Sequence, residues 1–216
     1  MKETLKFLSD LAAHNDRDWM QANKKRYEAA KAAFKELTAD LIKGIGAFDE
    51  SVLGLEPKDC IFRLNRDIRF SKDKSPYKTN FGAAIMEGGK KSPNPTYFFQ
   101  LQPGNSFVAG GVYHPEAEYL KKIRQEIDYN PEELKQIAEE KAFQKAFGKI
   151  TGESLKTAPK GYPKDHPNIE LLRMKSFLVM RNLTDEEVLK KDLAKRLSDY
   201  FELMMPFNQY LAVAMS

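Results

Sequence analysis

The residues best equipped for chemistry lie within twenty positions. Between Ile61 and Asn80 the 216-residue chain carries Arg63, Arg66, Arg69, Lys72, Lys74 and Lys78 against only Asp67 and Asp73. That segment has a net charge of +4, the same as the whole chain, so the remainder is neutral on balance. A field concentrated in one place matters even when the overall charge is modest. Cys60, Phe62, Leu64, Ile68 and Phe70 fall on alternate positions, which predicts a half-buried strand with Arg66 interrupting its apolar side. The opposite face would then present Arg63, Asn65, Asp67 and Arg69, spaced about 6.6–7 Å apart at roughly 3.3 Å per residue. Guanidinium forks so arranged bind phosphate or carboxylate through paired hydrogen bonds. The loop that follows adds Lys72, Lys74, Tyr77 and Lys78. The expectation is a platform on which Arg63, Arg69, Lys72, Lys74 and Lys78 bind an anion while Asn65 and Tyr77 orient it. Phosphate esters suit these donors best. A solvated face of an antiparallel sheet, its arginines neutralised by Asp67, has the same pattern.

A second basic stretch runs from Lys156 to Pro167. Lys160 and Tyr162 could close over the same anion, and His166 beside Asp165 has the chemistry of a general base. A hydrolase or transferase built this way would rest on electrostatic stabilisation, with Asp67 or His166 carrying the proton. The plainer alternative makes Asp165 the cap of a helix containing Ile169, Leu171 and Leu172. Other chemistries lack their motifs. His14, His114 and His166 are far apart, no HExxH or Cys/His cluster is present, and neither a metal nor a cofactor is expected. P-loop, Rossmann, G-x-S-x-G and EF-hand spacings are also missing. Cys60 shares the apolar register of its strand and reads as core.

The elements that must hold these residues follow from hydrophobic period. Leu5, Leu8 and Leu11 mark a first helix, and Asn15 predicts an N-cap for the next. Trp19, Ala30, Phe34, Leu37, Leu41 and Ile45 extend that second stripe. Strands are expected around Phe81–Ile85, Tyr97–Leu101 and Phe107–Tyr113, with Pro103-Gly104 as a turn and Gly110-Gly111 as a bulge. Phe177 and Val179 suggest a further strand, and Thr184 with Glu187 a capping box that opens a long helix ending at Pro206. Short turns between strands require antiparallel pairing. The fold class is therefore α+β, an antiparallel meander sheet flanked by N-terminal and C-terminal helices, in a single domain over residues 1–216.

Composition sets the outer bounds. Apolar residues make up 42% of the chain and charged residues 31%, as in folded proteins. A mean hydropathy of −0.58 and no apolar run near 18 residues exclude a helical membrane span. One cysteine and no visible secretory signal make the cytoplasm the expected compartment. Two alternatives stay open beside a small anionic ligand. Basic residues interleaved with Phe70, Tyr77 and Phe81 could bind single-stranded or structured nucleic acid, and a basic face could dock an acidic protein.

Three blocks resemble a widespread family of uncharacterised bacterial proteins, domain of unknown function 2461. They are Asn15-Asp16-Arg17-Asp18-Trp19 with Asn23-Lys24 and Tyr27; the run from Phe62 to Asn80; and Phe107 to Tyr113, followed downstream by Leu155 to Tyr162. The resemblance implies a stand-alone domain of this length and supplies no activity, substrate or cofactor. It does imply that the blocks belong together.

Overall fold

The computed structural model describes residues 1–216. Its elements in chain order are α1 (Lys2–Ala13), α2 (Arg17–Ala22), α3 (Lys24–Ile45), α4 (Pro57–Cys60), β1 (Phe81–Ile85), β2 (Thr96–Leu101), β3 (Ser106–Val112), α5 (Ala117–Tyr129), α6 (Pro131–Glu139), α7 (Lys141–Phe147), α8 (Ile169–Leu172), β4 (Phe177–Leu183), α9 (Asp185–Val188) and α10 (Leu193–Met215). The fold is α+β. Its four strands form one antiparallel meander in the order β1-β2-β3-β4, with helices of both chain ends packed against it.

Period explains which way each strand faces. Tyr97, Phe99 and Leu101 of β2 are buried, while Thr96, Phe98 and Gln100 between them are only half-buried. Cross-strand pairing extends the buried rows to Phe81, Ala83 and Ile85 on β1 and to Val108 and Gly110 on β3. Onto that face α3 brings Phe34, whose ring stacks 5.3 Å from Phe81, and α10 brings Phe201, 5.6 Å from Tyr97. Leu5, Leu8 and Leu11 of α1 are buried, as their spacing requires. One apolar cluster runs from Leu5 to Met215. No helix is long and apolar enough to cross a membrane.

Five local expectations are corrected. The largest concerns Cys60–Phe70, which is not a strand. From Ile61 to Asn80 the chain touches the sheet edge through the Ile61–Ala83 bridge and folds back on itself through Asn65 and Tyr77. The Arg66 N–H donates to Pro76 O and the Lys78 N–H to Leu64 O, both within this segment. A continuous strand would have driven the Arg66 guanidinium into the core and set Pro76, which has no N–H, in its pairing partner. Of the apolar stripe only Cys60 and Leu64 are buried, and Phe70 is 95% exposed.

The other four are smaller. Asp16, not Asn15, caps α2, accepting the Trp19 N–H at 2.7 Å. Asn168 rather than Asp165 precedes α8. Gly110 and Gly111 keep the ladder in register with no bulge, and close packing accounts for them. A Cβ on Gly110 would stand 2.7 Å from Met204 Sδ, so glycine lets α10 lie close on β3. Finally, the Thr184/Glu187 capping box opens only the short α9, and α10 continues through Pro206 to Met215.

Candidate functional site

Tyr27, Lys31 and Lys35 recur every four residues and therefore share one face of α3. Facing them across a cleft are Lys58 of α4 and the segment Ile61–Asn65, including Arg63 and Asn65. Lys90 and Lys91, from the β1–β2 connection, close a third side, and Ile61, Leu64 and Phe81 give the cleft an apolar lining. The cavity measures about 630 Å³, and its lining holds six cations and no acid.

Some of those cations have local partners. Lys58 Nζ lies 2.6 Å from Glu56, Lys90 Nζ donates to Lys58 O at 2.5 Å, and Lys31 is 3.8 Å from Glu28. No salt bridge engages Lys35, Arg63 or Lys91. Three cations held in no salt bridge leave a positive potential that a small anion would neutralise, partly offset by Asp67 within electrostatic reach of Arg63. Arg63 reaches beyond the cleft electrostatically. Burial pushes the Lys78 ammonium below its ordinary value, and repulsion from Arg63 adds to the shift. Lys78 Nζ rests 5.5 Å from the centre of the Phe62 ring.

A second cavity, about 930 Å³, lies over the sheet face that the helices leave open. It shares Phe62, Lys90 and Lys91 with the basic cleft, so the two adjoin along those side chains. His114 stands in its wall with φ 48, the one non-glycine residue in a left-handed conformation. The His114 N–H donates to Ser176 Oγ at 3.0 Å, and its Nε2 is 3.5 Å from Glu153. Lys175 and His114 hold the Glu153 carboxyl below its usual range.

The structure divides the residues that the sequence grouped. Arg63 and Asn65 line the basic cleft. Arg69 does not join them, because its Nε and Nη2 donate to both oxygens of Asp67, at 3.0 and 2.6 Å. That pair holds Asp67 below the usual carboxylate range. Lys72 is exposed, and Lys74 Nζ donates to Ile68 O at 3.0 Å. Arg66 staples the loop by donating to Asp73, Ser71 Oγ and Ser75 O. Tyr77 packs its ring against the core. Lys160, Tyr162 and His166 line neither cavity. His166 Nε2 instead meets Asp128 Oδ1 at 2.9 Å, while Nδ1 accepts the Asn168 N–H at 3.0 Å. The aromatic residues expected to stack on bases are also dispersed: Phe81 is buried, and Phe70 lies beside the Arg69 guanidinium at 5.7 Å.

The fold links the three sequence blocks. Asn15 hydrogen-bonds the backbone of Tyr77, and Phe62 contacts Phe98, which in turn contacts Phe107. A family model described as conserved hypothetical protein (DUF2461) matches residues 3–210. The chain belongs to the DUF2461 family. No curated protein and no solved structure matches this DUF2461 chain. Its cleft draws Lys31, Lys35, Lys58, Lys90 and Lys91 from three segments that sequence reasoning passed over. The only signal for any of them was the four-residue spacing of Lys31 and Lys35, which also describes an ordinary solvated helix face.

Proposed function

We propose that this protein binds a phosphate-bearing anion in the cleft between α3 and Ile61–Asn65. Arg63 would supply the planar fork, Lys35 and Lys91 would supply point charges, and Asn65 would orient the ligand from the cleft's edge. Lys31, Lys58 and Lys90 would add to the field from the walls. The supporting observation is a concave site with six cations and no acid in its lining. Of the platform residues, Arg63 and Asn65 line this cleft, while Arg69 is paired with Asp67.

Thermal unfolding against pyrophosphate, sugar phosphates, nucleotides, carboxylates and a short oligonucleotide tests this reading. A ligand at 100 times its dissociation constant adds about 2.7 kcal/mol. For a chain of this size that raises Tm by roughly 5–10 °C. The shift should disappear in the Lys35→Ala/Arg63→Ala double variant and persist in Arg69→Ala/Lys72→Ala. Absence of a shift with every phosphate refutes the proposal. A shift with the oligonucleotide alone, lost as salt rises, would transfer the cleft to nucleic-acid binding.

A further inference from the structure

We propose that the ligand is an amphiphile, a phosphate carried on an aliphatic chain, with the phosphate in the basic cleft and the chain along the open face of the sheet. The inference rests on the cleft reading above and adds what the neighbouring cavity would take. The two cavities adjoin at Phe62, Lys90 and Lys91, and that adjacency is its starting point. A ligand with its phosphate in the first cavity and its chain in the second would pass over these three side chains.

The floor of the groove favours a chain over a flat, hydrogen-bonding group. Pairing aligns Ala84, Phe98, Ala109 and Met180 in one row across all four strands. At about 4.8 Å per strand spacing, that row makes an apolar track about 14 Å long. The two alanines leave a trough on either side of Phe98. The polar groups in the next row are committed to one another. Asn80 Nδ2 donates to Gln100 Oε1, Gln100 Nε2 to Gln102 Oε1, and Gln102 Nε2 to Thr79 Oγ1. They leave little to read the edge of a base. The aromatic rings also pack on one another at tilted angles, Phe62 on Phe98 at 59° and Phe98 on Phe107 at 43°. Such rings do not present one continuous stacking plane. Met86 and Met180 supply flexible, polarizable walls that adapt to a chain.

Titration calorimetry on the full chain would compare ethyl, hexyl and decyl phosphate below their micelle-forming concentrations, with decanol and a short thymidine oligonucleotide alongside. Affinity should rise about fourfold per added methylene until the groove is filled. Met180 is 46% exposed on the edge strand, so Met180→Glu should fold and should remove most of the gain from ethyl to decyl phosphate. Ala109→Leu, which fills the trough without adding charge, should shorten the best chain. Lys35→Glu should weaken all three phosphates by a common factor. Equal affinity for ethyl and decyl phosphate overturns the chain proposal and leaves the cleft reading standing. Decanol binding as well as decyl phosphate, with Lys35→Glu silent, removes the cleft reading and this proposal with it. Tighter binding of the oligonucleotide than of decyl phosphate also overturns it.

Discussion

Asn15 grips the backbone of Tyr77 from both sides. Its Nδ2 donates to Tyr77 O at 2.9 Å and its Oδ1 accepts the Tyr77 N–H at 3.1 Å, across 62 residues of sequence. A side-chain amide here does what a neighbouring strand would do, satisfying both backbone groups of a residue outside the sheet. The grip ties the α1–α2 turn to the returning limb of the loop, which in turn pairs with Asn65 at the edge of the basic cleft.

Asn15→Ala therefore leaves two half-buried backbone groups without partners. The expected cost is about 2 kcal/mol, or roughly 4–8 °C in Tm. Asn15→Asp keeps the acceptor but sets a carboxylate against the Tyr77 carbonyl, and should not restore the loss. Trypsin should cut between Arg66 and Lys78 faster in both variants, since that limb is released.

The same pair shows why some of this architecture was legible in sequence and some was not. β1, β2 and β3 followed from alternation because their neighbours reinforce it: each apolar residue meets another across the ladder. Cys60–Phe70 alternates equally well, but no partner strand accommodates Arg66 or Pro76, and a pattern alone cannot reveal a missing partner. Asn15 looked like a cap because its type suits one, while the cap one residue later and the distant Tyr77 backbone decide its role. The charge of Arg63 was visible locally. Its companions Lys35, Lys58 and Lys91 come from separate segments, and only packing brings them to one cleft.

His166 is tied to Asp128 and Asn168 and lines neither cavity. With Nδ1 accepting the Asn168 N–H, the ring proton sits on Nε2 and points to Asp128. The side chain is only 14% exposed. His166→Ala should lower stability by about 1–3 kcal/mol by orphaning partly buried partners. Phosphate affinity at the cleft, measured in the same calorimetric assay, should not change. A selective loss of affinity with unchanged Tm would instead return His166 to the ligand site.

Asp73 should leave a signature in acid. Hydrogen bonds from the side chain and backbone of Ser75, followed by the Arg66 guanidinium, hold its carboxyl down at about 2 from an ordinary 3.8. Depression means the folded chain favours the carboxylate. The contribution is complete above the unfolded value and is lost as pH falls from 3.8 toward 2. Urea melts between pH 5 and pH 2 should show a shallower decline for Asp73→Asn than for the parent. Identical slopes would mean that Ser75 and Arg66 do not discriminate the charged form.

Cys60 is fully buried, and burial, reinforced by Asp59, pushes its thiol up to about 11. Near neutral pH it is protonated and shielded, whereas the thiolate is the reactive form. A thiol reagent should label the native chain only as fast as α4 opens, and labelling should accelerate with denaturant. Immediate stoichiometric reaction under native conditions would contradict the packing around α4.

Gly111 separates a clash from backbone strain. Its φ is +109, and a Cβ there would stand 2.0 Å from Phe177 O and 2.9 Å from the Phe207 ring. Phe177 O belongs to the paired backbone of β4, so it cannot swing aside as a side-chain tip would. Gly104 offers the comparison: its φ is +66, but nothing lies within 4 Å of its Cβ position. Gly104→Ala should cost only the left-handed penalty, about 1–2 kcal/mol. Gly111→Ala carries strain and steric overlap together and should cost more than about 3 kcal/mol. On this chain length the two variants would lie at least roughly 2–4 °C apart in Tm. If they melted together, β3 and β4 would have to separate at Gly111 at almost no cost, and the close approach that sets α10 on the sheet would not be what selects glycine there.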